Sequence, residues 1–120
     1  MKRIVLSVLA AMTLMGCQAT TQESPYVPTA KQKAIEAAQR AFADQKLVDV
    51  TDDGFIIFTQ GLEPKQYWRT SVIREAGYDI ACDKLLPFVE SGFVVQVRFK
   101  GQGGINDFYN AERCASMMTN

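Results

Sequence analysis

The side chains able to do chemistry are few. The chain contains no histidine, which removes the usual general base and the commonest metal ligand. Cysteines stand at 17, 82 and 114, with no Cys-x-x-Cys spacing, so Cys82 and Cys114 supply at most half of a zinc site. Cys82 could be a nucleophile only if unpaired. Ser71, Ser91 and Ser116 have no base motif beside them. Glu63 and Glu75 could pair across a site, but nothing in their spacing fixes that. Asp52-Asp53-Gly54 has the composition of a turn. Gly101, Gly103 and Gly104 lack the lysine and following helix of a phosphate loop and read as a hairpin turn. The reading is therefore non-enzymatic: no catalytic residue, no metal and no cofactor is expected.

Binding is the better-supported chemistry. Tyr67 and Trp68 stand together with Arg69 and Arg74 nearby, the aromatic-plus-arginine composition enriched at interfaces. Tyr67, Arg69 and Arg74 are the candidate partner-binding residues; ordinary core and rim is the competing reading. An open sheet edge could also accept a partner strand. The sequence does not say which edge is open.

The elements that must position these residues follow from periodicity. After Thr29, a plausible N-cap, the stretch to Val48 is rich in Ala, Lys, Gln and Glu. Ala34, Ile35, Ala38, Phe42 and Val48 give it one apolar face. Glu36 and Arg40 are placed to pair on the other. Phe55 to Thr59 reads as a strand, apolar enough to be central or covered on both sides. Glu63-Pro64 is expected to open a second helix with Trp68, Val72, Ile73 and Ala76 inward and Gly77 ending it. A shorter helical stretch from Asp79 should pass Cys82 and stop at Pro87. From Phe93 to Phe99 residues alternate, with Phe93, Val95, Val97 and Phe99 on one face. Ile105 to Tyr109 can return as its hairpin partner, and Asn110 to Met118 carries Cys114 in a helical or irregular turn. The expected fold is α+β: a small antiparallel sheet of about three strands with helices on one face.

The 120 residues fit one domain, with 13 basic and 13 acidic side chains. No basic surplus argues for nucleic acid. The first residues have an order of their own: Lys2 and Arg3, an apolar run from Ile4 to Leu14 broken by Ser7 and Thr13, then Leu14-Met15-Gly16-Cys17. The run is short for a bilayer span and has signal-peptide length. An ordinary secretory signal is the alternative. This stretch resembles the lipobox of bacterial lipoproteins. The resemblance implies cleavage after Gly16, diacylation of Cys17, and usually acylation of the new N-terminus. Loss of Lys2 and Arg3 leaves eleven basic against 13 acidic residues, a formal charge of −2. Such a surface gains little from anionic lipid, so attachment falls to the acyl chains. Gln18 follows the cysteine where an Asp favours inner-membrane retention, which implies the outer membrane, facing the periplasm. Gln18 to Pro28, polar with Pro25 and Pro28, reads as a flexible tether; Tyr26 and Val27 could instead dock on the domain or a partner. The domain is expected over 29–120.

With Cys17 assigned to lipid, Cys82 and Cys114 remain as a pair in an oxidising compartment, where a disulfide is the default and two free thiols the alternative. The stretch from Cys82-Asp83-Lys84-Leu85-Leu86 through Gly92-Phe93 to Cys114 is similar to the C-terminal part of small α+β pilotins of type II secretion systems. Those lipoproteins bind the tail of a secretin subunit and carry it to the outer membrane. The similarity covers about a third of the chain, and no groove residue carries over from it. The expected function is a membrane-anchored lipoprotein that binds another envelope protein. A structural lipoprotein without a specific partner, or a small enzyme or inhibitor module using exposed carboxylates, are the alternatives.

Overall fold

The structure, a computed structural model, describes residues 24–118. The expected signal peptide (1–16) and Cys17 lie outside the described residues.

Four strands form one sheet in the order β1-β2-β3-β4: β1 (Val48–Val50), β2 (Phe55–Gln60), β3 (Val94–Phe99) and β4 (Asn106–Tyr109). The outer pairs are antiparallel and the central pair, β2 with β3, is parallel. The expectation of a purely antiparallel, roughly three-stranded sheet is corrected to a mixed, four-stranded one. The reason lies in the connection. Residues 61–93 separate the two apolar strands, long enough to cross over the sheet and return in the same direction.

The extra strand, β1, comes from the end of the stretch read as one long helix. Helix α1 spans Gln32–Ala41 and begins after Lys31, not at Thr29. It unwinds through turns in which Ala43 N–H reaches Arg40 and Gln45 N–H reaches Phe42. Val48 and Val50 then flank Asp49 and pair with Phe58 and Ile56, which puts both valines against the core. Cross-strand packing of two β-branched side chains outweighs the helical propensity of the stretch before them.

The crossover also differs from expectation. Pro64 opens no helix: Glu63 to Gln66 is a turn with Lys65 at φ 74°, and Gln66 N–H bonds to the Glu63 carbonyl. Helix α2 begins later, at Thr70–Asp79, and continues into a π-helical turn at Ile80–Lys84, where Leu85 N–H reaches back to the Ile80 carbonyl. Because α2 starts late, Ile73, Gly77 and Ile80 point inward, while Val72 is exposed. Gly77 does not end the helix. It lies buried within it, under the Tyr109 ring. Pro87 does not stop a helix either; it sits in the first turn of α3 (Leu86–Glu90), where its missing N–H costs nothing. Helix α4 spans Ala111–Met118.

All the helices pack on one face of the sheet, as expected. Ile35, Ala38, Ile73, Ile80, Leu85, Val89 and Cys114 meet Ile56, Val95, Val97, Phe99 and Tyr109 there. Cys82 and Cys114, both buried, form the disulfide that ties the π-helical turn to α4. The opposite face carries a smaller cluster of Phe55, Ile57, Val94 and Phe108. The β2 side chains Phe55, Ile56 and Ile57 are thus buried on both faces of the sheet, in keeping with a uniformly apolar, central strand.

Candidate functional site

The C-terminal ends of the two parallel strands bring two loops together. The loop after β2 is pinned to the β3–β4 turn by Trp68: its backbone N–H donates to the Gln102 carbonyl at 2.9 Å and its indole Nε1–H to the Lys100 carbonyl at 3.0 Å. The indole edge rests on the Phe99 ring, with centroids 4.8 Å apart. Lys100 N–H bonds back to Gln60. Trp68 is therefore an anchor, half-buried, rather than a helix-face residue.

Its neighbours turn outward. Leu62, Lys65, Gln66, Tyr67, Arg69 and Val72 line, with Trp68, a shallow depression of about 390 Å³. Tyr67 is 58% exposed and Val72 is 44% exposed. Ile105, 51% exposed, lies at the same end, beside Phe99. Leu47, whose carbonyl accepts from Thr59 N–H, is exposed at this end too, so four of the six large apolar side chains exposed among the described residues lie here. Two cations, Lys65 and Arg69, line the depression and no carboxylate does. Of the three residues singled out from sequence, the structure brings Tyr67 and Arg69 together. Arg74 lies farther along α2, exposed and outside the lining, near enough to Tyr109 for its charge to be felt there. Sequence reasoning missed Leu62, Lys65 and Ile105. Their only signal was that each flanks a turn.

The sheet edges are both short, and local hydrogen bonds occupy outward groups on each. On β1 the outward Val48 N–H donates to the Gln45 carbonyl, and the outward Val50 carbonyl accepts from Gln39 Nε2. On β4 the outward Phe108 N–H donates to Asp107 Oδ1, and its carbonyl accepts from Arg113 at 2.6 Å. Such capping blunts an edge against strand addition. A partner strand would have to displace these bonds.

A second polar group is structural. Arg113 pairs with Asp107 at 2.8 Å and lies 4.1 Å over the Tyr109 ring. Tyr109 donates its hydroxyl to Asp107 at 3.1 Å. Burial, then the Asp107 charge, pushes the Tyr109 hydroxyl up to about 12. Burial works against the Arg113 charge, but the bond to Asp107 and that carboxylate's charge hold the guanidinium above its usual range. A neutral tyrosine and a paired arginine close the β4–α4 corner; neither is poised to exchange a proton near neutral pH.

For acid–base chemistry the arrangement offers little. Among the described residues no group of three His, Cys, Asp or Glu side chains is placed to hold a metal. A cleft of about 250 Å³ at the start of α4 holds Glu112 as its only carboxylate, and one beside β1 holds only Asp49. Glu63 and Glu75 are exposed on different elements. Asp52 and Asp53 occupy a turn, bonded to Gln39 and Thr51. No described helix is long and apolar enough to cross a membrane. Comparisons with protein-family models, curated proteins and solved structures found no match.

Proposed function

We propose that this chain is a lipid-anchored lipoprotein of the bacterial envelope that binds another envelope protein and carries out no catalysis. The observation that carries the binding part is the depression around Tyr67 and Arg69, apolar, cationic and free of carboxylates. Its occupant is an extended protein segment with an apolar anchor and acidic neighbours. The anchor packs beside Tyr67 and Val72, and the acids meet Lys65 and Arg69. Helper activity of the pilotin kind, docking one envelope protein so that it reaches the outer membrane, is the sharpest form of this reading. Support for the anchor comes from the lipobox-like Leu14-Met15-Gly16-Cys17.

The test is crosslinked capture of the tagged protein from cells, with partners identified by mass spectrometry, in four forms: natural, Cys17→Ser, Tyr67→Ala and Arg69→Glu. One dominant envelope partner is expected, mislocalised with Cys17→Ser and captured at least tenfold less with either surface variant. A partner whose capture ignores both surface variants sinks the assignment of the site. Metabolic labelling with a fatty acid that leaves residue 17 unmodified sinks the anchor.

A further inference from the structure

Seven residues line the depression, whereas a stable protein–protein interface takes roughly 20–30 residues a side. A partner held stably there must cover more of the molecule. The exposed apolar side chains at this end of the sheet show which part. Tyr67 and Val72 belong to the depression, but Leu47 and Ile105 lie outside it, at the two edges. Leu47 stands at the start of β1, where its carbonyl accepts from Thr59 N–H. Ile105 stands at the start of β4, where its carbonyl accepts from Phe99 N–H. They are 57% and 51% exposed. Val48 packs on the helix side, so Leu47 faces the other way, while Phe99, beside Ile105, is a helix-side residue. A line from Leu47 to Ile105 therefore runs over the end of the sheet, across the Gln60–Lys100 hydrogen bond and past the loop that Trp68 pins.

Charge is sorted along the same axis. Lys46, Lys65, Arg69, Arg98 and Lys100 stand at this end, with Asp44 and Glu63 as the carboxylates beside them. None of the five cations makes an ion pair with a described residue. At the opposite end are Asp52 and Asp53 in the β1–β2 turn, Glu90 at the end of α3 and Glu112 at the start of α4, with Lys31 and Lys33. A chain of zero formal net charge thus has one cationic, apolar end and one acidic end. Such sorting attracts an acidic partner to the first end, orients it, and opposes docking at the other.

We propose that the interface, given the depression as a protein-binding site, extends from it over this whole end of the sheet. Leu47 and Ile105 are its flanking apolar contacts, and an acidic protein segment is its occupant. β1 and β4 are the outer strands of the four, about 14 Å apart at ~4.8 Å per strand spacing. An extended chain rises about 3.3 Å per residue, so the apolar anchors of the partner that meet Leu47 and Ile105 stand at least about four residues apart. Acidic residues between and around those anchors meet Lys46, Lys65, Arg69 and Lys100. Leu47, Lys46 and Lys100 therefore contribute to partner choice although none of them lines the depression.

The test is site-specific photocrosslinking in cells, with p-benzoylphenylalanine placed in the full chain at Leu47, Gln66, Ile105 or Val27, one at a time. Gln66 lines the depression. Val27, 83% exposed and beside Gly92 at the opposite end, is the control. The same protein should be joined from positions 47, 66 and 105 and not from 27, through a segment rich in Asp and Glu. Lys46→Glu together with Lys100→Glu should lower the yield from position 66 severalfold. Joining from 66 alone overturns the wider interface and leaves the depression as a binding site. Absence of any protein joined from 66 sinks the depression itself, and the wider interface with it. Lipid in place of protein at 47 and 105 overturns the proposal and assigns this end to the bilayer. Equal joining from 27, a basic segment, or indifference to the two charge reversals also overturns it.

Discussion

Gly77→Ala separates the tertiary role of this position from its helical one, because the two predict opposite signs. On propensity alone, alanine within a helix stabilises by about 1 kcal/mol over glycine. The packing forbids that gain. A Cβ at position 77 would lie 2.3 Å from the Tyr109 hydroxyl oxygen and 3.0 Å from the ring carbon that bears it. Tyr109 is 0% exposed, stacked under Arg113 and bonded to Asp107, so the ring has no free direction. Either α2 shifts or the ring does. Overpacking of this kind costs about 1–3 kcal/mol, and loss of a hydrogen bond to a carboxylate about 1.5–3 kcal/mol more. After the propensity gain, Gly77→Ala should destabilise by about 1.5–5 kcal/mol. At about 4–8 °C per kcal/mol for a domain of this size, its Tm should fall by at least roughly 6 °C. The assay is thermal and urea unfolding with the disulfide intact, run beside Tyr109→Phe and the double variant. Removing the hydroxyl should relieve the clash, giving a favourable coupling of at least ~1 kcal/mol. A higher Tm for Gly77→Ala, or strict additivity in the double variant, would refute the reasoning.

Three further outcomes are expected. The Tyr109 hydroxyl is raised to about 12 in the fold against an ordinary 10, so its contribution is complete below pH 10 and lost as pH rises from 10 through 12. Allowing for screening by the part-exposed Asp107 and Arg113, the loss is about 1–2 kcal/mol; urea midpoints between pH 9 and 11 should show it, and Tyr109→Phe should remove it. The Cys82–Cys114 bond closes a loop with a sequence separation of 32. Replacing both cysteines by alanine should cost about 3.7 kcal/mol in the chain-entropy model, read as a lower urea midpoint. Gly92 has φ 105°, and a Cβ there would meet the Ala30 nitrogen at 2.7 Å. Gly92→Ala should destabilise by about 1–3 kcal/mol and speed hydrogen exchange at Thr29, whose amide it holds.

Local signals carried much of this fold. Alternation from Phe93 to Phe99 marked β3 and its buried face, and the uniformly apolar Phe55–Thr59 announced a strand either central or covered on both sides; it is an interior strand. The spare pair of cysteines, once Cys17 was set aside, implied the disulfide that the structure contains. Helices on one face of a sheet followed from the same periodicities. Of the candidate site, the exposed Tyr67 beside Arg69 was legible, because two adjacent aromatics cannot both face inward.

What only the tertiary structure decided were choices between partners distant in the chain. Strand direction was one, since apolar patterning is the same for a parallel and an antiparallel neighbour. The fate of Val48–Val50 was another: propensity extended the helix, and pairing with Ile56 and Phe58 ended it. Pro64 and Trp68 looked like a helix start until the indole found the Lys100 carbonyl across the sheet. Gly77 looked like a helix stop because its use, room for a tyrosine from β4, has no local trace. Even the depression around Tyr67, lined by residues 62–72 alone, belongs to a loop held in place by the bonds from Trp68 to the distant Lys100 and Gln102 carbonyls. Sequence patterns record what a residue shares with its near neighbours. Register, direction and close approach depend on contacts whose loop-closure cost is met only when the whole sheet assembles.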